Sequence, residues 1–267
     1  MTNGLGIMLK PIGIVRSKME NVDDLPLPGR PAQVEIYTPF RRGLLKIEEN
    51  SHLWLLLWFH KANRNMLVGA PHRLNPNLPD YGVFSLRSPN RPNPIALCLV
   101  KLESVQGNLL EVSGLDAINN TPVLDIKPYY EHDIIFSPRT PYIRAADRTM
   151  RHNIMLKEAL VHHQEECPDS FLAVRMALLA DEYMGHLNSP DLRLSVEGSP
   201  CLADTLQGLS RARIANPPRF SFQPNLTQNR SIWERPGRRL ILTARPEFTR
   251  EDCLNLADEE LISIDLI

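Results

Sequence analysis

The 267-residue sequence has no apolar run long enough to cross a bilayer: the longest, Leu53 to Phe59, is seven residues, against the roughly 20 that a spanning helix needs. Cysteine is scarce. Cys98, Cys167, Cys201 and Cys253 are widely scattered, which is no disulfide framework and points to a reducing, cytoplasmic setting. Met1 to Lys10 lacks a basic start followed by an apolar stretch, so no secretory leader is expected there. No internal repeat or low-complexity segment is present. Nor is there an excess of one charge: 30 basic and 31 acidic residues give a net charge of −1, which argues against a strongly basic nucleic-acid binder.

What is present changes character part-way along the chain. Residues 1–144 hold 16 Lys and Arg against 13 Asp and Glu, and residues 145–267 hold 14 against 18. The weak positive balance of the first part is compatible with RNA without requiring it. The first part reads as short strands between Pro, Asn and Gly turns: 11–16, 32–37, 52–60, 81–88, 94–104, 109–113 and 123–127. Ala32 to Tyr37 alternates in the period of a half-buried strand, whereas His52 to His60 is apolar throughout and predicts a strand covered on both faces. This pattern predicts a mostly antiparallel barrel or sandwich over residues 8–144. From about residue 145 the spacing turns helical. Helices are expected over 145–166 and 170–186, the second capped by Asp169 or Ser170, with a third over 202–209 and a strand over 239–245. Residues 145–267 are therefore expected to form an α+β domain.

Three clusters carry candidate chemistry. In Gly82 to Ile95, prolines and asparagines stiffen a loop that holds Arg87 and Arg91. Guanidinium groups on a rigid frame suit an anion or carboxylate, although such a loop taken in isolation is more often a structural turn with solvent-facing arginines. In Gly114 to Tyr129, Asp125 and Lys127 share one face of a strand, either as a surface pair or as the lining of a polar site. The third cluster is Ser51 to Lys61, where His60 closes an apolar strand, a common place for a capped core histidine.

Taken together, Ser51-His52-Leu53-Trp54 with Phe59-His60, the run from Gly82 to Ile95 containing Arg-Pro-Asn-Pro-Ile, and Leu115-Asp116 followed by Thr121 to Tyr129 resemble the TrmO-like (YaeB, TsaA-like) family. The resemblance covers Ile12 to about Tyr130. It implies a small antiparallel barrel, usually dimeric, that binds S-adenosylmethionine without a Rossmann fold and N6-methylates threonylcarbamoyl-adenosine in the tRNA anticodon loop. No glycine-rich strand-to-helix fingerprint is present, in keeping with this. Carried over by position, the resemblance implies cofactor contacts at His60, Lys61, Arg87, Leu97, Ser113, Gly114, Leu115 and Asp116. Asp116, Asp125 and His60 are candidates for the group that takes the proton from the methylated nitrogen. The chain departs from the family at Leu25 to Pro31, where a Pro-Arg-Gln loop is usual, and at Asn119-Asn120-Thr121-Pro122, where a DGTP turn is usual.

The second part resembles the FmdE-like domain. His163 to Pro168, Val174 to Ala177 and Val196 to Gln207 follow its motifs, with Glu165 in place of a second histidine. The resemblance implies a metal set of His163, Cys167 and Cys201, donors that suit zinc or a similar ion; the bland alternative is a pair of small core cysteines. Three functions follow as expectations: a tRNA methyltransferase, a methyltransferase for a small molecule or metal ligand, and a non-catalytic binder of S-adenosylmethionine or metal.

Overall fold

The computed structural model describes residues 7–22 and 29–267, and the Leu25 to Pro28 part of the divergent loop lies outside them. Two compact units are present, Met1–Ile134 and Ile135–Ile267.

The first unit is a closed six-stranded antiparallel barrel in the order β1-β2-β7-β6-β3-β8. Its strands are β1 (Gly13–Arg16), β2 (Arg30–Ile36), β3 (His52–Trp58), β6 (Ile95–Gln106), β7 (Leu109–Leu115) and β8 (Pro122–Pro128), and a separate two-residue pair joins β4 (Val68–Gly69) to β5 (Tyr81–Gly82). Alternation sets the core. Val15, Val34, Leu53, Leu55, Leu57, Val100, Leu110 and Val123 point inward and are 0–1% exposed, so each strand contributes every second side chain to one interior.

Two strand expectations change. β3 is not covered on both faces: Trp54, Leu56 and Trp58 are only half-buried on the outer wall. Their cross-strand neighbours Ile95 and Leu97 are 40% and 47% exposed. Tyr81 to Ser88 is not one strand. It leaves the sheet after Gly82 for a 3-10 turn over Val83–Ser85, because the carbonyls of Val83, Leu86 and Ser88 accept from the Arg91 guanidinium and not from a neighbouring strand.

The second unit is α+β. Helices α1 (Arg148–His163), α2 (Pro168–Met184) and α3 (Pro200–Ser210) pack together. The five-stranded sheet runs β10-β9-β11-β12-β13, with β9 (Arg193–Gly198), β10 (Phe220–Pro224), β11 (Arg230–Arg235), β12 (Arg238–Ala244) and β13 (Ile262–Leu266). Short helices α4 (Arg250–Asn255) and α5 (Asp258–Leu261) precede β13. Only β9–β10 is a parallel pair, bridged by α3 as such a crossover requires.

The α2 helix is buried from Ser170 to Asp181, and its core neighbours include Trp233, Leu202, Leu206, Leu240 and Leu242. Its cap is Cys167 followed by Pro168, two residues before Asp169 and three before Ser170. Proline fits the first helical position, where its missing N–H costs nothing. That frees Asp169 to accept from Ser199 and Asn229. Gly208 in α3 has a steric reason: a Cβ there would lie 2.3 Å from the His162 ring, so the glycine lets α3 approach the end of α1.

Candidate functional site

Strand direction assembles the first site. β3 and β7 are both antiparallel to β6, so they run the same way and their C-terminal ends share one end of the barrel. His60 and Lys61 follow β3 there, Asp116 follows β7, and β6 begins there at Ile95. Polar bonds hold this end together. The Lys61 Nζ donates to Glu20 O at 3.0 Å, Asn119 N to Met19 O at 2.6 Å, Asn63 N to Asn90 Oδ1 at 2.9 Å and Arg64 Nε to Pro92 O at 3.1 Å. Loops after β1 and β3 are thereby tied to the loops before β6 and β8.

The two loop arginines have opposite roles. Arg91 is half-buried, and its guanidinium donates to Ser88 O at 2.8 Å, to Val83 O at 2.8 Å and to Leu86 O. It is the clamp of the loop. Arg87 is exposed and has no hydrogen-bond or ion-pair partner among the described residues. A guanidinium exposed on a clamped loop, with no partner among the described residues, has the geometry to take a carboxylate of a ligand.

The remaining candidates divide by accessibility. Leu97 is exposed on the outer wall. Ser113, Gly114 and Leu115 are the last residues of β7 and not a loop. The Ser113 hydroxyl donates to Glu103 Oε1 at 2.6 Å. The Leu115 side chain is 1% exposed in the barrel core, which leaves only its backbone for a ligand. Gly114 has φ +81°, a left-handed geometry natural to glycine. Asp116 is exposed just beyond β7. His60 is exposed, and desolvation followed by the Lys61 charge lowers its pKa below the ordinary histidine value. The ring is therefore uncharged at pH 7 and able to accept a proton.

Asp125 and Leu97 both stand opposite Leu56 on the outer wall, apart from the barrel end that carries His60, Lys61 and Asp116. Asp125 is paired to Lys127 at 2.9 Å with both side chains about half exposed, a pair of small energetic value. It also borders a cavity of about 500 Å³ whose mostly apolar lining includes Phe40, Leu44, Leu53 and Ile126, with Lys46 and Asn50 among its polar members. None of the eight residues matched to cofactor contacts lines that cavity.

In the second unit His163, Cys167 and Cys201 converge, with one ligand atom of each within 4.8 Å of the others. His163 Nε2 lies 3.4 Å from Cys167 Sγ, and His163 Nδ1 lies 2.7 Å from Asp204 Oδ2. The carboxylate favours the tautomer with Nδ1 protonated and leaves the Nε2 lone pair facing the thiols. The same carboxylate lies 3.3 Å from His162 Nε2. Local structure explains the convergence. Cys167 caps α2, Cys201 is in the first turn of α3, and His163 closes α1. Burial, then the adjacent Cys167, pushes the Cys201 thiol up to about 11. Glu165 is exposed. Asp204 was not read from the sequence, although it stands three residues after Cys201 on one helix, the spacing of a shared face.

Comparison with known proteins places this geometry. The model of the tRNA-methyltransferase O N-terminal domain matches residues 14–133. An S-adenosyl-L-methionine-binding protein of Archaeoglobus fulgidus is 41% identical over 127 residues, 46% of this chain and 89% of that protein. The chain belongs to the TrmO family. A second Archaeoglobus fulgidus protein, described as a probable S-adenosyl-L-methionine-binding protein, is 34% identical over 222 residues and 79% of this chain, which is longer than the barrel unit. The chain spans 60% of that relative's length. The human tRNA (adenine(37)-N6)-methyltransferase is 44% identical over 122 residues, 44% of this chain and 26% of that protein. Among the described residues of this TrmO-family chain no helix is long and apolar enough to cross a membrane.

Proposed function

We propose that the chain is an S-adenosylmethionine-dependent methyltransferase that N6-methylates adenosine in the tRNA anticodon loop, with threonylcarbamoyl-adenosine as the substrate form. The observation that carries this is Arg87: a guanidinium without a partner among the described residues, held by the Arg91 clamp at the end of a barrel belonging to this family. The residues suit the cofactor's chemistry. Arg87 matches its carboxylate, Asp116 its ribose hydroxyls, and the backbone of Ser113 to Leu115 its adenine edge. The bound cofactor supplies a methyl group on a cationic sulfur. The protein's part is orientation and exclusion of water. His60, uncharged at neutral pH, or Asp116 accepts the proton lost by the adenine nitrogen.

A second copy suits the half-exposed outer wall around Trp54, Leu56, Trp58, Ile95 and Leu97, and a homodimer is the proposed assembly. The test pairs calorimetry of the full chain with S-adenosylmethionine and mass spectrometry of nucleosides from threonylcarbamoylated tRNA after incubation. One bound cofactor and one added methyl on the modified adenosine are expected. Cofactor binding with methylation of a small thiol or metal ligand, and none of tRNA, would move the substrate. Absence of cofactor binding would overturn the reading.

We also infer that the second unit, read as FmdE-like, holds a zinc-like ion on His163 Nε2, Cys167 Sγ and Cys201 Sγ. Tetrahedral zinc with its usual bond lengths separates neighbouring donors by about 3.5 Å, close to the 3.4 Å between His163 and Cys167. Asp204 behind the imidazole is the partner that metal-bound histidines usually have. Three protein donors leave one position open. Protein purified without chelator is expected to carry one equivalent of metal. A Cys167→Ser, Cys201→Ser double variant that keeps its helical circular dichroism is expected to carry none. Wild-type protein that takes up no added zinc, nickel or copper would show that these donors hold no ion.

A further inference from the structure

Cys167 and Cys201 stand in an arrangement that suits more than ligation. Their sulfur atoms lie within 4.8 Å of each other. They come from two separate helix starts, so neither is locked to the other by one rigid turn. Both are partly exposed, within reach of a small oxidant. The other two cysteines are poorly placed to compete: Cys253 is 1% exposed and packs against Pro168 O, and Cys98 is a strand residue of the barrel unit.

We propose that Cys167 and Cys201 form a reversible disulfide under mild peroxide oxidation, and that this expels the metal ion. The proposal rests on the metal reading above. The bookkeeping of atoms closes. Two metal–sulfur bonds break and one sulfur–sulfur bond forms, giving up two electrons. Hydrogen peroxide takes them as its O–O bond breaks, and with two protons from water it leaves as two water molecules. The metal keeps its charge. Once both sulfurs are joined, His163 alone remains of the three donors, too few to retain the ion. A reducing thiol restores the two donors by exchange, and the site can refill.

The experiment uses the full chain loaded with zinc and titrated with hydrogen peroxide in the presence of a chromogenic zinc chelator. Free thiols are counted by alkylation, and tryptic peptides are mapped by mass. Expected are one zinc released for every two thiols lost, a linked peptide pair joining Cys167 to Cys201, and reversal of all three changes by dithiothreitol with added zinc. Zinc held with both thiols intact, while Cys98 or Cys253 oxidises, would overturn the proposal. So would release accompanied by sulfinic acid at one cysteine and no linked pair. A chain that takes up no zinc before peroxide is added fails at an earlier and separate step, and overturns the metal reading together with this one.

Discussion

Arg87→Ala is expected to weaken S-adenosylmethionine binding at least about thirtyfold while leaving the melting temperature almost unchanged. Removing one partner of a desolvated arginine–carboxylate contact costs on the order of 2–5 kcal/mol, and 2 kcal/mol is already a factor of about thirty. Folding stability is unaffected because Arg87 is exposed and bonds to none of the described residues, the setting in which substitutions stay within about 0.5 kcal/mol. Arg87→Lys keeps the charge and loses the two-pronged geometry, so an intermediate loss is expected. Arg91→Ala is expected to behave differently. Its three carbonyl partners lose their donor, the loop loosens, and stability and affinity fall together. Calorimetry and thermal melts on the three variants separate the two patterns. An Arg87→Ala protein that binds within threefold of wild type would show that the carboxylate is held elsewhere.

Arg175→Ala is expected to be the most damaging single substitution in the second unit. Arg175 is 7% exposed in the middle of α2. Its Nε lies 2.9 Å from Asp258 Oδ1, one NH group donates to Cys253 O at 2.7 Å, and the other donates to Leu256 O at 3.0 Å and to Asp258. The side chain thus satisfies carbonyls at the end of α4 and anchors the start of α5. Breaking a buried ion pair by deleting one partner costs about 3–5 kcal/mol. A drop of about 10 °C or more in melting temperature corresponds to that. Arg175→Met should recover part of the packing and little of the bonding, because a thioether donates no hydrogen bond. A melting temperature within 2–3 °C of wild type, on the order of 1 kcal/mol, would mean that Arg148, which also reaches Asp258, takes over the role of Arg175.

The sequence made the alternating strands legible because burial writes itself into a period of two. It was silent on which face of an all-apolar strand is covered. Leu53, Leu55 and Leu57 face the barrel core while Trp54, Leu56 and Trp58 face outward, and both sets are equally apolar. The helices α1 to α3 were found within a few residues, but β9, β10, β11, β13, α4 and α5 were not. Each spans only four to six residues, too short for periodicity to rise above chance. A capping box from Thr249 to Asp252 was the available sign of α4. At the site, sequence spacing alone gave Arg87 and Arg91 equal standing. Which one turns inward is decided by the carbonyls of Val83, Leu86 and Ser88, groups that every residue carries and no sequence pattern displays.

The strand order of the barrel has a consequence for its synthesis. β3 pairs with β6 and β8, and both are made after it. As the chain leaves the ribosome, the most apolar strand therefore waits, with both edges unpaired, until residues 95–106 and then 122–128 have followed. Closure is later still in spatial terms, since β1 must find β8 across more than a hundred residues. A nascent chain stalled before β6 presents β3 as an unpaired ribbon, and one stalled after β7 presents an open five-stranded sheet with the β1 and β3 edges bare. The interval of synthesis most exposed to aggregation is therefore expected between the completion of β3 and the arrival of β6, with β8 needed last to cover the remaining edge of β3 and close the barrel.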